Sequence, residues 1–143
     1  MTATSATTYT KTALVTNTAY YYKVRAYRLV GTVKVYSSYS SITSARPVPA
    51  TPVVIASSAS YNSVKATWAA ISGATGYEVS YAYSAEGTYT VLPVQASTTY
   101  TLLNQATNVP VYFKVLAYLM VGNLKVDGSS SAVSNAKANP STP

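Results

Sequence analysis

Cysteine and histidine are both absent from the 143 residues, and acidic side chains number only three. The first two absences remove disulfides, thiolate nucleophiles, thiolate and imidazole metal ligands and the commonest general base together. Stability must therefore come from packing. Phenylalanine and tryptophan occur once each, against 15 tyrosines, and tyrosine mixed with Thr, Ser and Val is the composition of half-exposed strands. No apolar run reaches the roughly 18 residues that a spanning helix needs, so no membrane span is expected. Met1 is followed by Thr and Ser rather than by a basic region and an apolar core, so no secretion signal is read at this end.

The three acids are Glu78, Glu86 and Asp127. A glycosidase would need two carboxyl groups flanking one bond. Glu78 falls on the outer face of an expected strand and Glu86 in the hairpin after it, and both read as solvated surface groups. A calcium site at Glu86 or Asp127 would need about 6 to 8 oxygens from a clustered loop, which the surrounding sequence lacks. No glycine-rich phosphate loop is present. The expectation is a chain with no catalytic residue, no metal and no cofactor, hence not an enzyme. The formal charge is +7, but the ten basic residues run from Lys11 to Lys137. Duplex binding favours a dense basic face, which speaks against nucleic acid. A mildly basic surface also suits anionic cell-wall glycan.

What is present is an internal repeat. Tyr20 to Tyr27, Tyr-Tyr-Tyr-Lys-Val-Arg-Ala-Tyr, returns as Val111 to Tyr118, Val-Tyr-Phe-Lys-Val-Leu-Ala-Tyr, an offset of 91 residues from Tyr27 to Tyr118. The same shift lays Thr7 to Thr10 on Thr98 to Thr101, Val30-Gly31 on Val121-Gly122 and Thr51-Pro52 on Thr142-Pro143. A period of that length is domain-sized rather than a solenoid turn. The expected organisation is a partial repeat at 1–46, a Pro-rich linker at 47–52 around Pro47, Pro49 and Pro52, and one complete repeat at 53–143.

Period-2 alternation dominates both copies. Tyr20, Tyr22, Val24 and Ala26 share an inner face, opposite Tyr21, Lys23, Arg25 and Tyr27. Ala6 to Thr12 reads as a short strand before them, and Tyr39 to Ala45 as a final one. In the complete copy Val53 to Ile55 reads as an edge strand and Ser58 to Asn62 as a turn. Val64, Ala66 and Trp68 then point inward, as do Tyr77, Val79 and Tyr81, and later Val111, Phe113, Val115 and Ala117. That phase makes Trp68 a core residue rather than a sugar-stacking one. Seven short strands at this spacing predict an all-β, antiparallel, immunoglobulin-like sandwich, preceded by the C-terminal half of the same fold.

Trp68, Gly76-Tyr77-Glu78-Val79, Gly87-Thr88-Tyr89 and the Tyr20 to Tyr27 run, in that structural order, resemble the fibronectin type III family, in the variety found in arrays on secreted or surface proteins of bacteria. The resemblance implies strands A to G over Val53 to Lys137 and strands E to G over residues 6 to 46. It also implies a non-catalytic module, secreted or at the bacterial cell surface. In the family a Leu in the turn before strand F meets a Tyr six residues later; Leu14 and Tyr20 match this corner, whereas Gln105 and Val111 stand in the same columns of the complete copy.

Two roles follow as expectations. The first is an extracellular structural or spacer module of a tandem array. It would associate with itself, as a dimer or filament, or with neighbouring repeats, through the apolar face of the incomplete half: Leu14, Tyr20, Tyr22, Val24 and Ala26. The alternative is an adhesion module that binds glycan or a protein through the outward face made by Tyr21, Lys23, Tyr27, Tyr112, Lys114, Leu116 and Tyr118, beside Leu119.

Overall fold

A computed structural model describes residues 6–139, and the chain divides into two compact units, Met1–Pro47 and Val48–Pro143. Every regular element among the described residues is a strand. The first unit holds β1 (Tyr20–Tyr22), β2 (Tyr27–Val30), β3 (Val33–Tyr36) and β4 (Thr43–Ala45). The second holds β5 (Val54–Ser60), β6 (Ser63–Trp68), β7 (Gly76–Ala82), β8 (Thr90–Val91), β9 (Thr99–Leu102), β10 (Pro110–Val121), β11 (Leu124–Asp127) and β12 (Ser134–Lys137).

In the second unit β6 lies between β5 and β9 in one antiparallel sheet. In the other, β7 lies between β8 and β10, and β10 takes β11 and β12 in succession along its far edge. Alternation along β6, β7 and β10 turns Val64, Ala66, Trp68, Val79, Val111, Phe113, Val115 and Ala117 inward to form one core. This is the all-β sandwich expected from the sequence. Trp68 is 7% exposed and meets Tyr77 edge-on at 5.4 Å between ring centroids. The Tyr77 hydroxyl in turn accepts the Ile71 N–H at 2.8 Å.

Several local expectations give way to tertiary contacts. The first strand runs on to Ser60 with a register shift after Ser58, because the Ser60 and Ser63 hydroxyls bond to each other across the tightened turn. Pro49 and Pro52, placed in a linker from composition, are buried in the second unit. A Cβ at Gly128 would stand 2.6 Å from the Pro49 carbonyl oxygen, so glycine lets the two backbones approach. Ala6 to Thr12 forms no strand. Its counterpart β9 is a strand because β6 pairs with it, and no such neighbour exists among the described residues of the first unit.

The first unit repeats the pairing register of the β10 to β12 half of the second. Tyr20–Ala45, Tyr22–Thr43, Tyr27–Tyr36 and Val30–Val33 face each other in the first, as Val111–Ala136, Phe113–Ser134, Tyr118–Asp127 and Val121–Leu124 do in the second. Gly31 and Gly122 open the two-residue hairpin loops at φ 62° and 59°, a region that costs glycine little. Asn17 and Asn108 both take positive φ, and their N–H groups donate to Pro47 and Ala138 at 2.9 Å each.

The run Tyr20 to Tyr27, expected as one strand, is split at residues 23–26, where β10 is continuous because Lys114 to Ala117 pair with Ser80 to Tyr77 of β7. No strand takes that place among the described residues of the first unit, and serine hydroxyls serve as acceptors on the paired edge of both units. Val24 N–H donates to Ser40 Oγ at 3.0 Å and Ala26 N–H to Ser37 Oγ at 3.0 Å. Ser40 N–H returns to Val24 O at 2.7 Å. In the second unit Val115 N–H donates to Ser131 Oγ at 3.1 Å, and Ser131 N–H returns to Val115 O at 2.8 Å. Ser131 is buried, whereas Ser40 is exposed. Ser131→Ala should therefore strand a buried N–H and destabilise by about 1–3 kcal/mol, while Ser40→Ala leaves Val24 N–H to water and costs far less. Thermal melting of the two variants checks this, and equal losses would contradict it.

Candidate functional site

On the outer face of the first unit the side chains interleave cations with tyrosine rings. The Arg25 guanidinium lies 3.8 Å from the Tyr36 ring centre and 4.7 Å from that of Tyr39, and the Lys23 ammonium lies 4.2 Å from Tyr39. Further along, the Lys34 ammonium is 4.7 Å from Tyr27, whose ring packs on Tyr36 at 5.9 Å. Each exposed cation–π contact contributes about 0.5–1 kcal/mol, enough to order long side chains in a row. Tyr21, expected on this surface, is 72% exposed opposite Ser44 and lies outside the row. Arg25, Lys34, Tyr36 and Tyr39 join Lys23 and Tyr27 as members that the sequence reading did not single out.

Charge is segregated in the same way. Residues 1–47 contain six basic side chains and no acid, whereas residues 48–143 contain four basic side chains and three acids, so six of the seven net charges fall in the first unit. Read over the whole chain the charges look scattered. Dividing the sequence at its Pro-rich segment is what separates them.

The second unit does not reproduce this surface. Lys114 sits over Tyr89 at 4.2 Å, and Tyr112 and Leu116 are half-buried. Tyr118, expected to face outward, is only 9% exposed, because it folds over Gly76, where a Cβ would stand 2.8 Å from its hydroxyl. Lys125, 5.1 Å from the Tyr118 ring, is held by Glu78 at 2.9 Å and Asp127 at 3.0 Å. The column of Asp127 is filled by Tyr36 in the first unit, and that of Leu116 by Arg25. The Glu78 hydrogen bond raises the Lys125 pKa above the ordinary lysine value; burial opposes this, and Asp127 adds to it. Burial raises the Tyr89 pKa too, helped by Glu86 and Tyr112.

The inner face of the first unit is open. Val24 is 71% exposed and Ala26 is exposed, while Leu14, Tyr20 and Tyr22 are half-buried. Val115, Ala117, Val111 and Phe113, in the columns of Val24, Ala26, Tyr20 and Tyr22, are all 0% exposed. The difference is the cover that β5, β6 and β9 provide.

Comparison with solved structures places this architecture. A Fn3-like protein from Clostridium thermocellum is 30% identical and superimposes with a TM-score of 0.54, over 68% of this chain and 100% of its own. The chain belongs to the fibronectin type III family. The crystal structure of FN3tt matches at 20% identity and TM-score 0.51, over 66% of this chain and 99% of its own, and shows the shared fold. So does the sixth fibronectin type III domain of human fibronectin type III domain containing protein 3, at 18% identity and TM-score 0.52, over 69% and 93%. No family model matches the sequence, and no curated relative does.

The corner implied by the family resemblance forms in the first unit, where the Tyr20 hydroxyl accepts the Val15 N–H at 3.1 Å. The second unit holds the same turn by other bonds. Gln105 N–H donates to Asn62 O at 2.8 Å, the Thr107 hydroxyl to Tyr61 O at 2.7 Å and the Tyr83 hydroxyl to Gln105 Oε1 at 3.0 Å. Loss of the Leu and Tyr is thereby offset.

A lysine whose folded pKa is raised contributes stability that is complete at neutral pH, and that is lost as pH rises from about 10.4 through the folded value. Lys125→Met should lower stability at neutral pH by under about 1 kcal/mol, since the pair is a third exposed. The gap between variant and parent should close in alkaline melts; a gap that stays constant with pH contradicts the ion-pair account.

Proposed function

We propose that this chain is a non-catalytic structural module of a tandem fibronectin type III array, acting outside the cell at a bacterial surface, and that it associates with itself through the open face of its first unit. The observation that carries this reading is the pair of matched columns, Val24 exposed and Val115 buried, on two halves with one hydrogen-bond register. Covering a valine or tyrosine side chain stabilises by about 1.5–3 kcal/mol, so a face of several such groups favours a partner. A like face from a second copy supplies one by symmetric packing, and the edges of β1 and β2 that pair with no strand among the described residues allow strand addition as well.

The non-catalytic part rests on chemistry. No histidine or cysteine is available, and Glu78 and Asp127 are both committed to Lys125. The surface location draws on the family and on the Clostridium thermocellum relative; no helix among the described residues is long and apolar enough to cross a membrane.

Light scattering over a concentration series should show the full chain moving above monomer mass, with Val24→Lys, which sets a charge on the open face, staying monomeric. A monodisperse monomer at millimolar concentration would remove the assembly role.

A further inference from the structure

The row of cations and tyrosines in the first unit borders a cleft of about 800 Å³, whose wall also includes Lys11, Thr7, Thr8 and Tyr9 and, from the apolar face, Tyr22 and Val24. Four cations, Lys11, Lys23, Arg25 and Lys34, line it. Nothing in residues 1–47 can neutralise them, because that segment has no acid. The contrast with Lys125 is direct: it meets a tyrosine as Lys34 does, but its charge is answered by two carboxylates.

We propose that this cleft binds an acidic polysaccharide, a linear glycan bearing carboxylate or sulfate groups. Charge disfavours a second copy at the cationic wall, since residues 1–47 carry a net charge of +6 and residues 48–143 one of +1, so neither unit brings a net negative charge to it. Lys23 and Arg25 lie two residues apart on one face, about 6.5–7 Å along an extended chain, a spacing that presents successive charges to a polymer. The guanidinium of Arg25 lies near the Tyr36 and Tyr39 rings, and its N–H groups meet no carboxylate among the described residues, so they can take a bidentate anion contact. Hydroxyls on Thr7, Thr8 and Tyr9 both donate and accept, as sugar hydroxyls require.

Single-stranded nucleic acid fits less well. It needs free aromatic faces on which to stack, and the rings of Tyr27, Tyr36 and Tyr39 already carry Lys34, Arg25 and Lys23.

The test is affinity electrophoresis of the full chain through gels containing polygalacturonate, with neutral dextran, polyglutamate and oligothymidylate run in parallel at equal salt. Polygalacturonate should retard the chain most and dextran not at all. The variant Lys23→Ala/Arg25→Ala should weaken polygalacturonate binding by about tenfold or more, the effect expected from losing charge-assisted hydrogen bonds. Arg25→Lys, which keeps a charge but loses the bidentate fork, should fall between the parent and Lys23→Ala/Arg25→Ala, and Lys137→Ala in the second unit should change little. Far-ultraviolet and tyrosine circular dichroism show whether each variant keeps the first unit's structure. Absence of retardation, retardation as strong with polyglutamate or oligothymidylate, or equal loss in Lys137→Ala would overturn the proposal.

Discussion

Strand β10 is hydrogen-bonded along both edges, to β7 on one side and to β11 and then β12 on the other, and the second unit is built outward from it. Its inward residues, Val111, Phe113, Val115 and Ala117, form the floor on which Val64, Ala66 and Trp68 of the facing sheet pack. Its outward residues are constrained as well. Tyr118 lies over Gly76, and Leu116 faces Glu78, which grips Lys125. A doubly paired strand with a buried face has no free register, because a one-residue slip would turn every inward side chain to the outside.

The first unit keeps the pairing on one edge and lacks the rest. Its hairpin shows which features of the half are intrinsic: the glycine turn, the serine that takes over from a carbonyl, and the asparagine with positive φ all form with no facing sheet among the described residues of the first unit. Burial is what is lost, and Val24 and Ala26 register it. The outer face responds differently. With no acid in reach along residues 1–47, its lysines and arginine settle on tyrosine rings, so the unit presents charge on one face and apolar surface on the other.

Alternation made the inner face of β10 legible in advance, and the inward phase of Trp68 likewise, because period 2 and burial on one side are local in sequence. Strand ends were less readable. The split at residues 23–26 and the missing strand at Ala6 to Thr12 both depend on neighbours, the counterparts of β7 and β6, that only tertiary structure supplies. Pro49 and Pro52 carried a linker composition, yet both are buried in the second unit, Pro49 where glycine at 128 lets its backbone approach. On the candidate site, Lys23 and Tyr27 were found by facing, but Tyr36 and Tyr39 come from the returning strand and needed the register to be placed beside them.

The account depends on the first unit holding the β10 to β12 register without a covering sheet. Cross-strand nuclear Overhauser contacts on isotope-labelled full chain read that register directly. The account predicts contacts between Tyr22 and Thr43 and between Arg28 and Val35, matching those between Phe113 and Ser134 and between Leu119 and Val126. Random-coil shifts over residues 20–45, or contacts displaced by one residue, would contradict it.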